Sequence, residues 1–412
     1  MSNNVEAPRE PDDLFNKGQV RHGETPASLE VEVRVLPLGA FSEFVLIEQP
    51  RLLTSVKAGS IGVDTLIERQ KELLVGVSPE TVEMAVADPT LASFAMLDLT
   101  FAINAAVLAE NPPSGSRPPD EVEQLSVLFT QVTGLPRTMT FEKIVGINSR
   151  LPYQQMRTFT DGEVGETERM FYYGHDLMGK ILGSTTQVAS ETVTLLTTFG
   201  KQKIGEVEAS LVRAAAGMNE FSDFMIGFMR MPTEHFTIFR QYISQYPDGT
   251  RNASGAFIGM PRLNLRLMGS ASFYEDFLNE GMQYFPVGEQ QDIQQARIDA
   301  NKDNYLVAIC ERLQGVERID LSRMLKQLIE PLHQFRLLHF AAALKYIPGA
   351  IPEGGKDLKT LLMEDYESIL DDQPDVVKGT GGFISGPLLR NILRLDLRSL
   401  ERLEKIINNE DS

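Results

Sequence analysis

From residue 167 onward the apolar side chains recur three and four positions apart, in runs too long for strands. The spacing predicts one long helix over 167–199, begun by Thr167 and the acidic residue after it. A second helix is expected over 205–231, stopped before Pro232, and a third over 233–246, stopped by Pro247-Asp248-Gly249. Residues 247–268, rich in Gly, Asn and Arg, read as a loop. Helices are expected to resume near Ser270, over 288–314 and over 320–347. A Gly- and Pro-rich excursion, 348–384, surrounds a short helix at 356–370, and a basic amphipathic helix at 385–407 follows it. Stripes of this kind are buried by packing helix on helix, so the fold class is all-α and the architecture a helical bundle.

The first part of the chain is less regular. Residues 1–30 are polar, carry Pro8, Pro11 and Pro26 and show no periodicity, as a disordered leader does. Val31, Val33 and Val35 alternate, so 31–48 reads as a short strand or an extended arm. Residues 49–110 read as helices broken by Gly59, Gly62 and Gly76, with Ser78-Pro79-Glu80-Thr81 as a helix start. Within them, 91–109 is apolar on most faces and reads as a buried helix; Ser93, Asp98, Thr100 and Asn104 argue against a membrane span. The break at 111–119, NPPSGSRPP, divides a small, mainly helical N-terminal region (31–118) from a larger helical domain (119–412). Segment 137–166, with Gly146, Pro152, Gly162 and Gly165, reads as irregular.

Composition narrows the function classes. The formal charge of −18 argues against nucleic acid or an anionic membrane as the main partner. The single cysteine, Cys310, excludes a disulfide framework and multi-thiolate metal sites, so a reducing cytoplasm is the expected location. No P-loop, dinucleotide fingerprint, metal-spaced His/Glu pair or nucleophile elbow is present.

The segment 330–349, EPLHQFRLLHFAAALKYIPG, carries the chemistry that remains. Pro331 suits a first helical turn, and Leu332, Phe335, Leu338, Ala342 and Tyr346 then form one apolar stripe. His339 sits among Leu338, Phe340 and alanines that leave room for something flat. A neutral imidazole in such a wall can ligate haem iron; it can equally be a core histidine bonded to a carbonyl. His333 is the rival ligand on the same helix, with more polar neighbours. On the expected 167–199 helix, Phe171 and His175 lie one turn apart and share a face, as aromatic packing around one bonded histidine also would.

The pattern Arg336-x-x-His339-x(5)-Lys345-Tyr346-Ile347, followed by Lys378-Gly379-Thr380-Gly381-Gly382, resembles the proximal helix and closing glycine loop of the indoleamine 2,3-dioxygenases. On this basis the chain is identified as resembling the haem-dependent tryptophan/indoleamine dioxygenase superfamily, including its bacterial branch typified by monodechloroaminopyrrolnitrin synthase. The resemblance covers about residues 165–405. It implies a helical haem domain, a b-type haem held by His339, O2 as co-substrate and an indole amino acid as the small-molecule partner.

The same resemblance assigns further roles. Phe171 matches a distal-wall aromatic, and His175 stands where the tryptophan dioxygenases place a histidine that bonds the indole N–H. His235-Phe236-Thr237-Ile238-Phe239-Arg240 resembles the segment whose arginine clamps the substrate carboxylate, although His235 replaces an aromatic residue there. A salt bridge of Arg240 to Glu234 or Asp223 is the other reading. Ser270 matches weakly a small-residue loop over one haem edge, or else caps a helix. Arg336 is placed to meet a haem propionate or to form a surface ion pair, and Ala342 to line the haem face. Thr380 and Gly381 belong to the closing loop, or to a plain linker. The expected reaction is oxidation of the indole ring, by cleavage or by a rearrangement in secondary metabolism. A helical haem sensor without turnover, and a scaffold without haem, are the competing classes. A homodimer is one option for the assembly, which the sequence leaves open.

Overall fold

The computed structural model describes residues 34–109, 117–243, 259–346 and 385–408. Among them the fold is all-α, with no strand. The alternation at Val31, Val33 and Val35 does not lead into a strand: from Ala40 the chain is helical, through α1 (Ala40–Glu43), a π-helical turn (Phe44–Glu48) and α2 (Gln49–Lys57). Phe41, Phe44, Val45 and Leu53 are buried there, and three-and-four spacing is what puts them on one side. Then come α3 (Val63–Val75), α4 (Pro79–Ala87), α5 (Pro89–Leu108) and α6 (Asp120–Thr133). The Ser78 hydroxyl accepts from the Thr81 amide and starts α4 as its sequence predicts. Asp88 does the same for α5, accepting from the amides of Thr90 and Leu91.

Helix α5 is long and apolar enough to cross a membrane, but most of it is buried inside the molecule. Its polar residues hold the irregular segment beside it. The Asp98 carboxylate is fully buried and accepts from Arg157 Nε at 2.7 Å. Asn104 donates to the Tyr242 carbonyl at 2.6 Å. Lys143, also buried, donates to Thr100 Oγ1 and to the Thr138 carbonyl, both at 2.9 Å. The segment is thus a set of short π and 3-10 turns between Glu142 and Gln155 whose backbone is anchored by side chains.

The C-terminal portion consists of α7 (Gly162–Phe199), α8 (Ile204–Phe228), α9 (Thr233–Arg240), α10 (Met260–Met268), α11 (Ser272–Gly281), α12 (Val287–Ala300), α13 (Leu306–Arg312), α14 (Val316–Tyr346) and α15 (Ser385–Asn408). Helix α8 packs between α7 and α14, and α15 lies along α14. One apolar cluster runs from Leu38 to Ile406, with members on both sides of the 111–119 break.

Four expectations shift. Helix α7 begins at Gly162, five residues before Thr167; the Thr167 hydroxyl, instead of capping an N-terminus, donates back along the helix to the Glu163 carbonyl at 2.9 Å. Part of the expected loop 247–268 is α10: Gly259, at φ 89°, turns the chain, and Pro261 then sits in the first turn. The expected helix 288–314 is two, α12 and α13, separated by a turn in which Asp303 takes φ 55°. Pro331 lies inside α14, not at its start. It has no N–H to give to the preceding turn, and its own carbonyl accepts from the Ser222 hydroxyl on α8 at 3.0 Å. The leader 1–30, the helix 356–370 and the glycine loop with Thr380 and Gly381 lie outside the described residues.

Candidate functional site

The stripe Leu332, Phe335, Ala342 and Tyr346 is buried in α14, with Leu338 partly so. His339 lies on the flank of that stripe. Its ring stacks on Phe335, with centroids 5.7 Å apart and planes 12° apart. Phe335 in turn meets the edge of Phe221 from α8 at 4.2 Å. Burial pushes the His339 imidazole down to about 4, so it is neutral near pH 7. Among the described residues no hydrogen bond or ion pair engages it.

His175 projects from α7 toward the same region. Its Nδ1 lies 2.7 Å from the Phe171 carbonyl. A carbonyl only accepts, so Nδ1 carries the proton and Nε2 of the neutral ring is the acceptor nitrogen. Burial lowers its pKa to about 4; the Phe171 bond opposes this and the nearby His339 adds to it. The two imidazoles thus stand near enough for the charge of one to disfavour the charge of the other. Both rings are desolvated and yet retain some accessible surface.

Aromatic rings form the wall around His175. Phe171 lies 4.0 Å away and Phe228 4.8 Å, with Phe141 at 6.1 Å edge-on. Phe171 also touches Phe236 at 5.7 Å and Phe239 at 5.3 Å, both on α9. Gly174 makes the Phe228 contact possible: a Cβ there would stand 2.6 Å from Phe228 Cζ. Tyr346 fixes the end of α8 that carries Phe228, its hydroxyl lying 2.7 Å from the Phe228 carbonyl and 2.9 Å from that of Met231. Lys345 donates to the Met229 carbonyl. Cationic and hydroxyl donors thus satisfy the last carbonyls of α8, which have no partner within the helix. Phe141, Gly174 and Phe228 were not legible as site residues. A glycine within a helical pattern was the available signal, since it costs about 1 kcal/mol there unless packing needs it.

The wall is anchored from below by Glu168. Its buried carboxyl receives the amides of Phe159 and Thr160, the Thr160 hydroxyl and the Tyr172 hydroxyl. Burial still pushes it up to about 7 against those four donors. This cluster ties segment 157–160 to α7 just before Phe171.

Helix α9 brings three of the expected residues. Phe236 is buried and meets Tyr346 at 5.1 Å. His235 is tied to α7 through Thr167, Nδ1 to Oγ1 at 2.9 Å. Arg240, the last residue of α9, has a pKa lowered by burial, and its Nε is buried without an acceptor. Neither Glu234 nor Asp223 pairs with it among the described residues.

Other expected residues are engaged elsewhere. Arg336 is buried and bonded to Asp396 of α15 and Asn264 of α10, so its charge is met by protein. His333 reaches the same carboxylate, Nδ1 to Oδ2 at 3.3 Å. Ser270 does not cap α11; it donates to Glu275, which pairs with Arg297. Ala342 is buried one turn beyond His339. No family model matches the chain, and no curated protein matches it in sequence.

Proposed function

We propose that the chain is a haem-dependent oxygenase acting on the indole ring of tryptophan or a tryptophan derivative. The observation that carries this reading is His339: a neutral, desolvated imidazole, without a hydrogen bond among the described residues, standing near a second neutral imidazole. Such a ring could serve as the axial ligand of a haem iron. No group of three or more His, Cys, Asp or Glu side chains converges to hold a metal ion among the described residues. Porphyrin iron is a metal that brings most of its own coordination sphere and asks the protein for one imidazole. The alanines beside His339 and the partial exposure of both rings suit a flat, apolar group. His339 would hold the b-type haem and Ala342 would border it. Haem, when bound, supplies the activation of O2.

The protein's own part is recognition and placement. Phe171, Phe228 and Phe236 offer an aromatic wall for an indole. His175 Nε2 accepts a hydrogen bond, and the indole N–H donates one. Leaving that N–H without an acceptor in a buried site would cost roughly 1–3 kcal/mol, so this contact discriminates against analogues that lack it. Arg240 provides two parallel donors for a carboxylate, which would offset the desolvation its guanidinium now bears. His235 is held by Thr167 at this end of the aromatic wall, and Thr380 and Gly381, outside the described residues, are the ones the resemblance assigns to a closing loop. Arg336 and Ser270 are committed to protein partners, so the reading does not rest on them. Whether the indole is cleaved or rearranged belongs to the chemistry after O2 activation.

The test is O2 consumption by haem-loaded protein with tryptophan, followed together with loss of indole absorbance. Coupled loss of both is expected. Haem binding with no O2 uptake for any indole amino acid would leave a haem-binding sensor instead.

A further inference from the structure

The N-terminal end of α7 borders a cleft of about 550 Å³ with no histidine in its lining. Three arginines from three different parts of the chain line it: Arg34 before α1, Arg51 on α2 and Arg169 on α7, with Asp161 as the one acidic residue of the wall. In a chain with a formal charge of −18, such a gathering of cations is against the average. Arg34 pairs with Glu43 at 2.6 Å through Nη1, and Arg169 with Glu166 at 3.1 Å through Nη1. Each guanidinium has donors left over. The Arg169 Nε is buried and has no acceptor. Arg51 has neither an ion pair nor an acceptor among the described residues. Asp161 does not cap α7 with its side chain; it accepts from the Thr54 hydroxyl at 3.0 Å. The first amides of a helix of 38 residues therefore face this end without a side-chain cap.

We propose that this cleft, whose lining includes neither His175 nor His339, is a second binding site, for a small organic anion with two or more acidic groups. The volume falls within the range of small-molecule sites. Planar guanidinium forks suit carboxylate and phosphate oxygens alike. Arg169 lies on the same helix as Phe171 and His175, so an anion held there would bear on the helix that builds the aromatic wall.

The test titrates the full chain, without haem, with citrate in one arm and inorganic pyrophosphate in another, at constant ionic strength and by calorimetry. Saturable one-site binding in at least one arm is expected. Which arm binds tells a carboxylate ligand from a phosphate ligand. Arg51→Gln, an exposed substitution that spares the core, should weaken the binding at least tenfold, and Arg240→Ala should leave it unchanged. Heat no larger than that of sodium chloride at equal ionic strength in both arms would overturn the proposal. So would an unchanged affinity in Arg51→Gln, or loss of binding in Arg240→Ala.

Discussion

The imidazoles of His175 on α7 and His339 on α14 lie near enough that His339 disfavours protonation of His175. Both are held down to about 4, mainly by desolvation. The unfolded chain binds protons on these rings near 6.5, so between about 6.5 and about 4 it holds more protons than the native state. Their contribution to stability is full above about pH 6.5 and is lost as the pH falls toward 4. Denaturant titrations at pH 7 and pH 5 should show a loss on the order of 2 kcal/mol or more in the wild type, and a clearly smaller loss in His175→Asn/His339→Asn. Glu168 works in the other sense. Its folded pKa, about 7, lies above the unfolded value, so its contribution is full below about pH 4.5 and fades as the pH rises through 7. Glu168→Gln should therefore steepen the acid-side loss; a shallower one would contradict the assignment.

Gly174 and Phe228 give a packing test. A methyl group at Gly174 meets the Phe228 ring at 2.6 Å, whereas Gly179 and Gly183 on the same helix have nothing within 4 Å. Gly174→Ala should destabilise the protein by about 1–3 kcal/mol. Gly179→Ala and Gly183→Ala should stabilise it by roughly 0.4–1 kcal/mol, because alanine restricts the unfolded chain and suits a helix. Urea unfolding of the three variants checks the contrast, and equal effects would remove Gly174 from the wall.

Most of the helices were legible because their stripes are buried against one another, as at Leu332, Phe335 and Ala342. His339 stands out in the sequence for a related reason, as a polar ring among alanines on an apolar face, and its ring is stacked on Phe335. What was not legible depends on partners remote in sequence. Residues Met260–Met268 look loop-like in composition, yet Leu263, Leu265 and Leu267 are all buried between neighbouring helices. The engagement of Arg336 required Asp396, 60 residues away. The place of Phe228 against α7 depends on a glycine, Gly174, whose reason is visible only once the ring lies against it.

In the proposed function Arg240 would recognise the substrate by its carboxylate. In haem-loaded protein, Arg240→Ala should weaken tryptophan binding by tenfold or more, on the basis that a lost charged hydrogen bond is worth about 1.5–3 kcal/mol. Indole, which lacks the carboxylate, should bind as it does to wild type. Equal weakening of both in equilibrium titrations would refute the clamp.

The absorption spectrum of the purified chain after haem reconstitution examines the ligand itself. A Soret band should appear at one haem per chain in the wild type and be lost in His339→Ala, while His333→Ala keeps it. A wild type that takes up no haem, or a His339→Ala variant with an unaltered band, would contradict the account.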